Sequence, residues 1–168
     1  MLIFSVFFIT NGLIADTNFQ IKFIENKGQW TSEVLFKADI PGGHLFVSKN
    51  CLTYYLVDKK AVHDHQHGQK VNAGNAQVVK VFFDGSNSRD IEVEARQTFG
   101  EKFNYFIGDQ STWRSGVSAY HQIILKNIYK GIDLEIISNG YSAKSNFIVK
   151  PLADPSQIRL RYEGADSI

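Results

Sequence analysis

The sequence predicts an all-β fold, an antiparallel β-sandwich of about ten short strands, from three observations. Side chains branched at Cβ dominate. Beyond residue 15 the chain holds 14 Ile and 11 Val against 8 Leu and no Met, a composition that suits a pleated sheet better than a helix. Short apolar runs alternate with Gly, Pro, Asn and Asp at close spacing, the rhythm of sandwiches and barrels. No stretch of ten or more residues carries a 3.6-residue apolar period.

The first element is not part of that fold. Residues 2–9, LIFSVFFI, form an apolar run too short to span a membrane, which takes about 20 residues. The first charged side chain is Asp16. The run reads as the core of a secretory signal peptide over residues 1–15, with Ala15 as the small residue before the cut; the alternative is a buried N-terminal strand. Residues 16–168 then form a single domain.

Within that domain the strand signals run in order. Phe19–Ile24 comes first, followed by Val34–Ile40, which Pro41-Gly42-Gly43 ends. His44–Ser48 and Leu52–Val57 flank a turn at Lys49-Asn50-Cys51. Residues 58–77 are polar and read as a long exposed loop. Val78–Phe83 stops at Asp84-Gly85, and Ile91–Ala95, Asn104–Ile107 and Tyr120–Lys126 follow. Ile132–Ser138 and Ser142–Val149 are joined by Asn139-Gly140, read as a type I′ hairpin turn. Pro151 and Pro155 bracket a connector to the last strand, Ile158–Tyr162. Residues 162–168 read as strand, turn and the start of another strand, so the sandwich is expected to be incomplete at its C-terminus and the chain to be a fragment of a longer protein. Two W-x-S-x-V matches, at Trp30 and Trp113, raise the possibility of two related halves.

Composition narrows the function. With 18 Lys+Arg against 17 Asp+Glu the net charge is +1, which argues against the basic face of a nucleic-acid binder. The single cysteine, Cys51, rules out a disulfide framework within the chain and reads as a small buried apolar residue.

The run Phe23-Ile24-Glu25-Asn26-Lys27-Gly28-Gln29-Trp30, then Asn104-Tyr105-Phe106-Ile107-Gly108 with Trp113, Tyr129-Lys130-Gly131-Ile132-Asp133-Leu134, Asn146–Pro151 and Tyr162-Glu163-Gly164-Ala165 resembles the uncharacterised N-terminal domain of large secreted proteins of Bacteroidota. The resemblance covers roughly residues 22–168 and implies export to the cell surface or the medium. It also implies partners on the same polypeptide: propeller-type or immunoglobulin-like repeats downstream and a type IX secretion sorting domain. It carries no catalytic residues. In structural terms Gly28, Gly108, Gly131 and Gly164 mark turns that need positive φ. Asn26, Asn104 and Asp133 are suited to bonding turn amides. Tyr105, Phe106, Tyr120 and Tyr129 are expected to fill the core.

Four groups of residues could carry chemistry or binding. His63, His65 and His67 share one face of an extended segment and could meet one metal ion, although zinc sites usually draw ligands from separate segments. The oxygens of residues 84–90 fit a calcium loop poorly, because Gly85 stands second and Arg89 intrudes; a hairpin turn is the reading for this stretch. Asp133 and Glu135 share a strand face, as the paired carboxylates of glycoside hydrolases can, with nothing nearby that points to a cleft. Trp30 and Trp113 are expected to pack at sheet ends, and would stack on sugars if exposed.

The reading as a whole is a non-catalytic extracellular module, a structural spacer or an adhesion domain, with no cofactor, no nucleic acid and no membrane span. The alternative is a glycan- or metal-binding module using Trp30, Trp113 or the histidine loop.

Overall fold

A computed structural model describes residues 3–6, 19–57 and 76–164. The described residues form eleven strands in one antiparallel sheet: β1 (Ile3–Val6), β2 (Phe23–Glu25), β3 (Val34–Ile40), β4 (Gly43–Ser48), β5 (Cys51–Val57), β6 (Ala76–Phe83), β7 (Glu92–Tyr105), β8 (Arg114–Tyr129), β9 (Ile132–Asn139), β10 (Ser142–Val149) and β11 (Leu160–Glu163). The only helical turns among them are two of 3-10 type, Gln110–Thr112 and Pro155–Gln157. The all-β antiparallel expectation therefore stands.

The two layers are arms of one curled sheet, a half-barrel, rather than two separate sheets. The strand order is β1-β10-β9-β8-β2-β3-β4-β5-β6-β11, with β7 on the other side of β8. Phe83 of β6 and Phe147 of β10 stand near opposite ends of this path. Their rings nevertheless meet edge-on at 6.3 Å, so the sheet folds its ends toward each other. The backbone of β1, inside the expected leader, pairs antiparallel with residues 145–148 of β10.

Alternation builds the core. In β9 Ile132, Leu134 and Ile136 are fully buried, with Asp133 and Glu135 on the other face. Leu45 and Val47 of β4 repeat the pattern, and these side chains join one cluster with Phe23, Phe36, Ile123 and Leu125. A smaller cluster lies behind the sheet, where Ile24, Val117 and Ala119 pack with Trp30, Phe99, Phe103 and Tyr105. Phe23 and Ile24 are neighbours in sequence and so point to opposite faces; β2 serves both clusters.

Several local readings shift. Ile91–Ala95 and Asn104–Ile107 are not separate strands but belong largely to the 14-residue β7, and Tyr120–Lys126 lies inside the 16-residue β8. The chain absorbs these lengths through register shifts between Thr98 and Lys102 and between Phe103 and Tyr105. β9 and β10 pair Asn139 with Ser142, so the two-residue loop is Gly140-Tyr141. Only Gly140 has positive φ there, +61°, which fits a II′ turn rather than I′. Residues 84–90 do not close a hairpin, because β6 pairs with β5 and β11 whereas β7 pairs with β8. The two W-x-S-x-V segments differ in form, Trp30 lying in a loop ahead of β3 and Trp113 directly after a 3-10 turn.

The motif glycines 28, 108, 131 and 164 all take positive φ. At Gly131, φ is +73° and an added Cβ would stand 2.8 Å from the Cβ of Ala153. Nearby, Asp133 accepts the Asn127 amide at 2.8 Å and the Lys150 ammonium at 2.9 Å. It thereby fixes an irregular step in β8 where Asn127 has φ +52°. Gly131→Ala is expected to cost about 1–3 kcal/mol in urea unfolding, and more than Gly85→Ala. Gly85 has similar φ but open space around its Cα; equal costs would mean that contact with Ala153 adds nothing.

On the β7–β8 hairpin, Glu94 sits between Arg96 at 2.6 Å and Lys126 at 2.8 Å. These cations, Arg96 first, hold its carboxyl down to about 2. A depressed folded pKa adds stability above the ordinary carboxylate range that is lost as pH falls through the folded value. The melting-temperature gap between wild type and Glu94→Gln is therefore expected to narrow from pH 5 to pH 2. A constant gap would overturn the assignment.

Candidate functional site

The sequence around Trp30 makes a loop that holds itself together. Asn26 is its centre. Its side-chain amide donates to the carbonyls of Thr31 at 2.8 Å and Val34 at 2.7 Å, while its oxygen accepts the amides of Gly28 at 2.9 Å and Trp30 at 3.2 Å. Gln29 adds two more bonds, accepting the Lys27 amide and donating to the Glu25 carbonyl. Arg114 ties this loop to the far end of the long hairpin, donating to the carbonyls of Lys27, Ser111 and Trp113. An ideal Cβ on Gly28 would lie 2.7 Å from the Arg114 guanidinium, and φ there is +103°, a backbone conformation that favours glycine.

This loop forms one wall of a cleft of about 610 Å³ at the open mouth of the half-barrel. The start of β3 and the first half of β7 form its sides, through Val34, Phe36, Val93 and Ala95. Phe36 and Tyr120 meet edge-on with centroids 6.1 Å apart. Glu25 stands two residues after the buried Phe23, and the period of two turns it toward the same interior. Its carboxylate faces Lys27 at 3.9 Å, beyond hydrogen-bond reach. Trp30 is half-buried, edge-on to Tyr105 at 5.3 Å, with the Lys37 ammonium 5.9 Å from its ring.

Beside the cleft, on the other side of Arg114, lies a solvent-facing apolar cluster. Phe106 is 59% exposed, Ile107 80% and Trp113 40%. The Phe106 and Trp113 rings meet edge-on at 5.5 Å, and the indole N–H donates to the Gly108 carbonyl. Asp109 caps the intervening turn through the Ser111 amide, and its bonds with Ser111 hold the carboxyl below its ordinary range.

Neither Trp30 nor Trp113 is sealed inside the main core, and Phe106 is not a core residue at all; Tyr129 is, with its hydroxyl 3.0 Å from the Arg159 carbonyl. His63, His65 and His67 lie outside the described residues, as do most of the 58–77 loop and residues 165–168. Among the described residues no three His, Cys, Asp or Glu side chains gather as metal ligands, and no helix is long and apolar enough to cross a membrane. Asp84 is bonded to Arg161 at 2.9 Å. Asp133 serves the β8 irregularity, and Glu135 accepts from the buried amides of Gln122 and Asn146. Cys51 is buried, and burial pushes its thiol pKa up.

Sequence reasoning missed Glu25 and the Val93–Ala95 wall. The signal for Glu25 was available in its spacing from Phe23; the wall depends on how β7 crosses the mouth. It also missed an exposed pair across the β3–β4 hairpin, where His44 Nδ1 lies 2.7 Å from Asp39 and the imidazole stacks on Tyr55.

Over residues 23–168 the sequence matches the family described as a domain of unknown function, DUF7948. No curated protein and no solved structure matches the chain.

Asn26→Ala is expected to lose about 1–3 kcal/mol in urea unfolding, because the loop amides and carbonyls it serves are left unpaired. It should also shift the tryptophan emission. An unchanged midpoint and spectrum would show that the loop holds without Asn26.

Proposed function

We propose that this chain, which belongs to the DUF7948 family by its match over residues 23–168, is a non-catalytic interaction module of an exported, multidomain surface protein. It acts at the front of a longer polypeptide of the Bacteroidota type, with β repeats and a type IX sorting domain downstream. The observation that carries the reading is the exposed Phe106, Ile107 and Trp113 cluster, presented at the end of a long and well-paired hairpin. Apolar side chains gathered in solvent mark contact surfaces more often than they mark packing, and aromatic anchors supply much of the energy of such contacts. The apolar leader at residues 2–9 supports export, and Asp133 and Glu135 are each engaged by structural neighbours, which supports a role without chemistry at that pair.

Two measurements test this. Expression of the full chain in a Bacteroidota host should yield an N-terminus near residue 16 by mass spectrometry; retention of residues 1–15 would remove the export reading. Beads carrying the chain should adhere to extracellular protein or polysaccharide coatings. A Phe106→Ser/Trp113→Ser variant should lose about tenfold in retention, the equivalent of roughly 1.4 kcal/mol, with an unchanged melting temperature. Equal retention by the variant would sink the aromatic-end reading.

A further inference from the structure

We propose that the cleft bounded by β2, β3, β7 and β8 binds a neutral oligosaccharide; this goes beyond the interaction reading above and concerns a different surface. At about 610 Å³ the cleft falls within the roughly 300–1,000 Å³ typical of small-ligand sites. A sugar ring offers one apolar C–H face and a rim of hydroxyls, so a site for it needs aromatic surface beside hydrogen-bond acceptors. The cleft supplies both. Tyr120 and Trp30 provide aromatic surface over the buried Phe36, while Glu25 and Ser32 provide oxygens on the same lining. Among the described residues the nearest cation to the Glu25 carboxylate is Lys27 at 3.9 Å, which leaves its oxygens able to accept hydroxyl donors. A carboxylate acceptor makes the stronger, charge-assisted kind of bond.

Charge selects a neutral ligand. Glu25, the only charged side chain on the lining among the described residues, disfavours an acidic sugar, and Lys27 at 3.9 Å offsets its pull on a cationic one. The wall is also set in advance. Asn26, Gln29 and Arg114 fix the backbone of the 26–31 loop by their own bonds, so little ordering remains to oppose binding.

The full chain should be titrated calorimetrically with cellohexaose, maltohexaose, mannohexaose, chitohexaose and, as an acidic counterpart, hexagalacturonate. At least one neutral hexasaccharide is expected to bind saturably with Kd between about 1 μM and 1 mM. Glu25→Gln and Ser32→Ala, each close in shape to the native side chain, should weaken that binding tenfold or more. Phe106→Ser/Trp113→Ser should leave it within twofold. No saturable binding by any neutral sugar, tighter binding of hexagalacturonate, or native affinity in Glu25→Gln and Ser32→Ala would overturn the proposal. Sugar binding lost only in Phe106→Ser/Trp113→Ser would remove the cleft and leave the aromatic end standing. Cleft binding with adhesion that ignores Phe106 and Trp113 would do the reverse.

Discussion

Three residues hold the two arms of this molecule in one sheet. β2 pairs through Ile24 and Glu25 with β3 and through Phe23 and Ile24 with β8. It is the only hydrogen-bonded bridge, among the described strands, between the β8–β10 arm and the β3–β6 arm. So short a strand contributes few ladder bonds. What fixes it is burial on both faces, with Phe23 sealed in the main core and Ile24 in the cluster behind it. Fully burying two such side chains is worth about 3–6 kcal/mol, well above the roughly 1 kcal/mol net of each ladder bond.

The brevity of β2 also creates the cleft. Had the strand continued past Glu25, its neighbours would have closed over the mouth. Instead the chain turns at Asn26, whose side chain satisfies the backbone groups that a continuing ladder would have used, and β3 begins only at Val34. The resulting gap is rimmed by groups committed to the loop and floored by rings that belong to the core. Glu25, the last residue of the strand, faces into it. A polar residue at the inner end of a strand is costly in a sealed core and sits without penalty at an opening.

Much of the architecture was legible in the sequence because β-branched composition and turn residues report backbone preference directly. What was not legible depends on pairing at a distance. β7 and β8 read as short strands from their local apolar runs; the hairpin instead carries its interruptions as register shifts and a positive φ at Gln97. The turn at Asn139-Gly140 was placed one residue early because the register follows the interior pairing of Leu134 with Phe147 rather than local turn preference. Asn26, Asn104 and Asp133 do bond backbone amides, Asn104 and Asp133 across their hairpins rather than within their own turns. Phe106 and the tryptophans were expected to be covered, and nothing in a single sequence says whether a hairpin end meets the core or solvent.

The pairing of residues 23–24 with residues 119–120 has a temporal consequence. The N-terminal stretch of the domain emerges first during synthesis yet cannot take its place until nearly a hundred further residues exist. Contacts of that sequence separation slow a β protein into the range of milliseconds to seconds. The nearer partner, β3, is available far sooner, through Ile24 with Lys37 and Glu25 with Phe36, so this strand can join one arm early and the other only near the end.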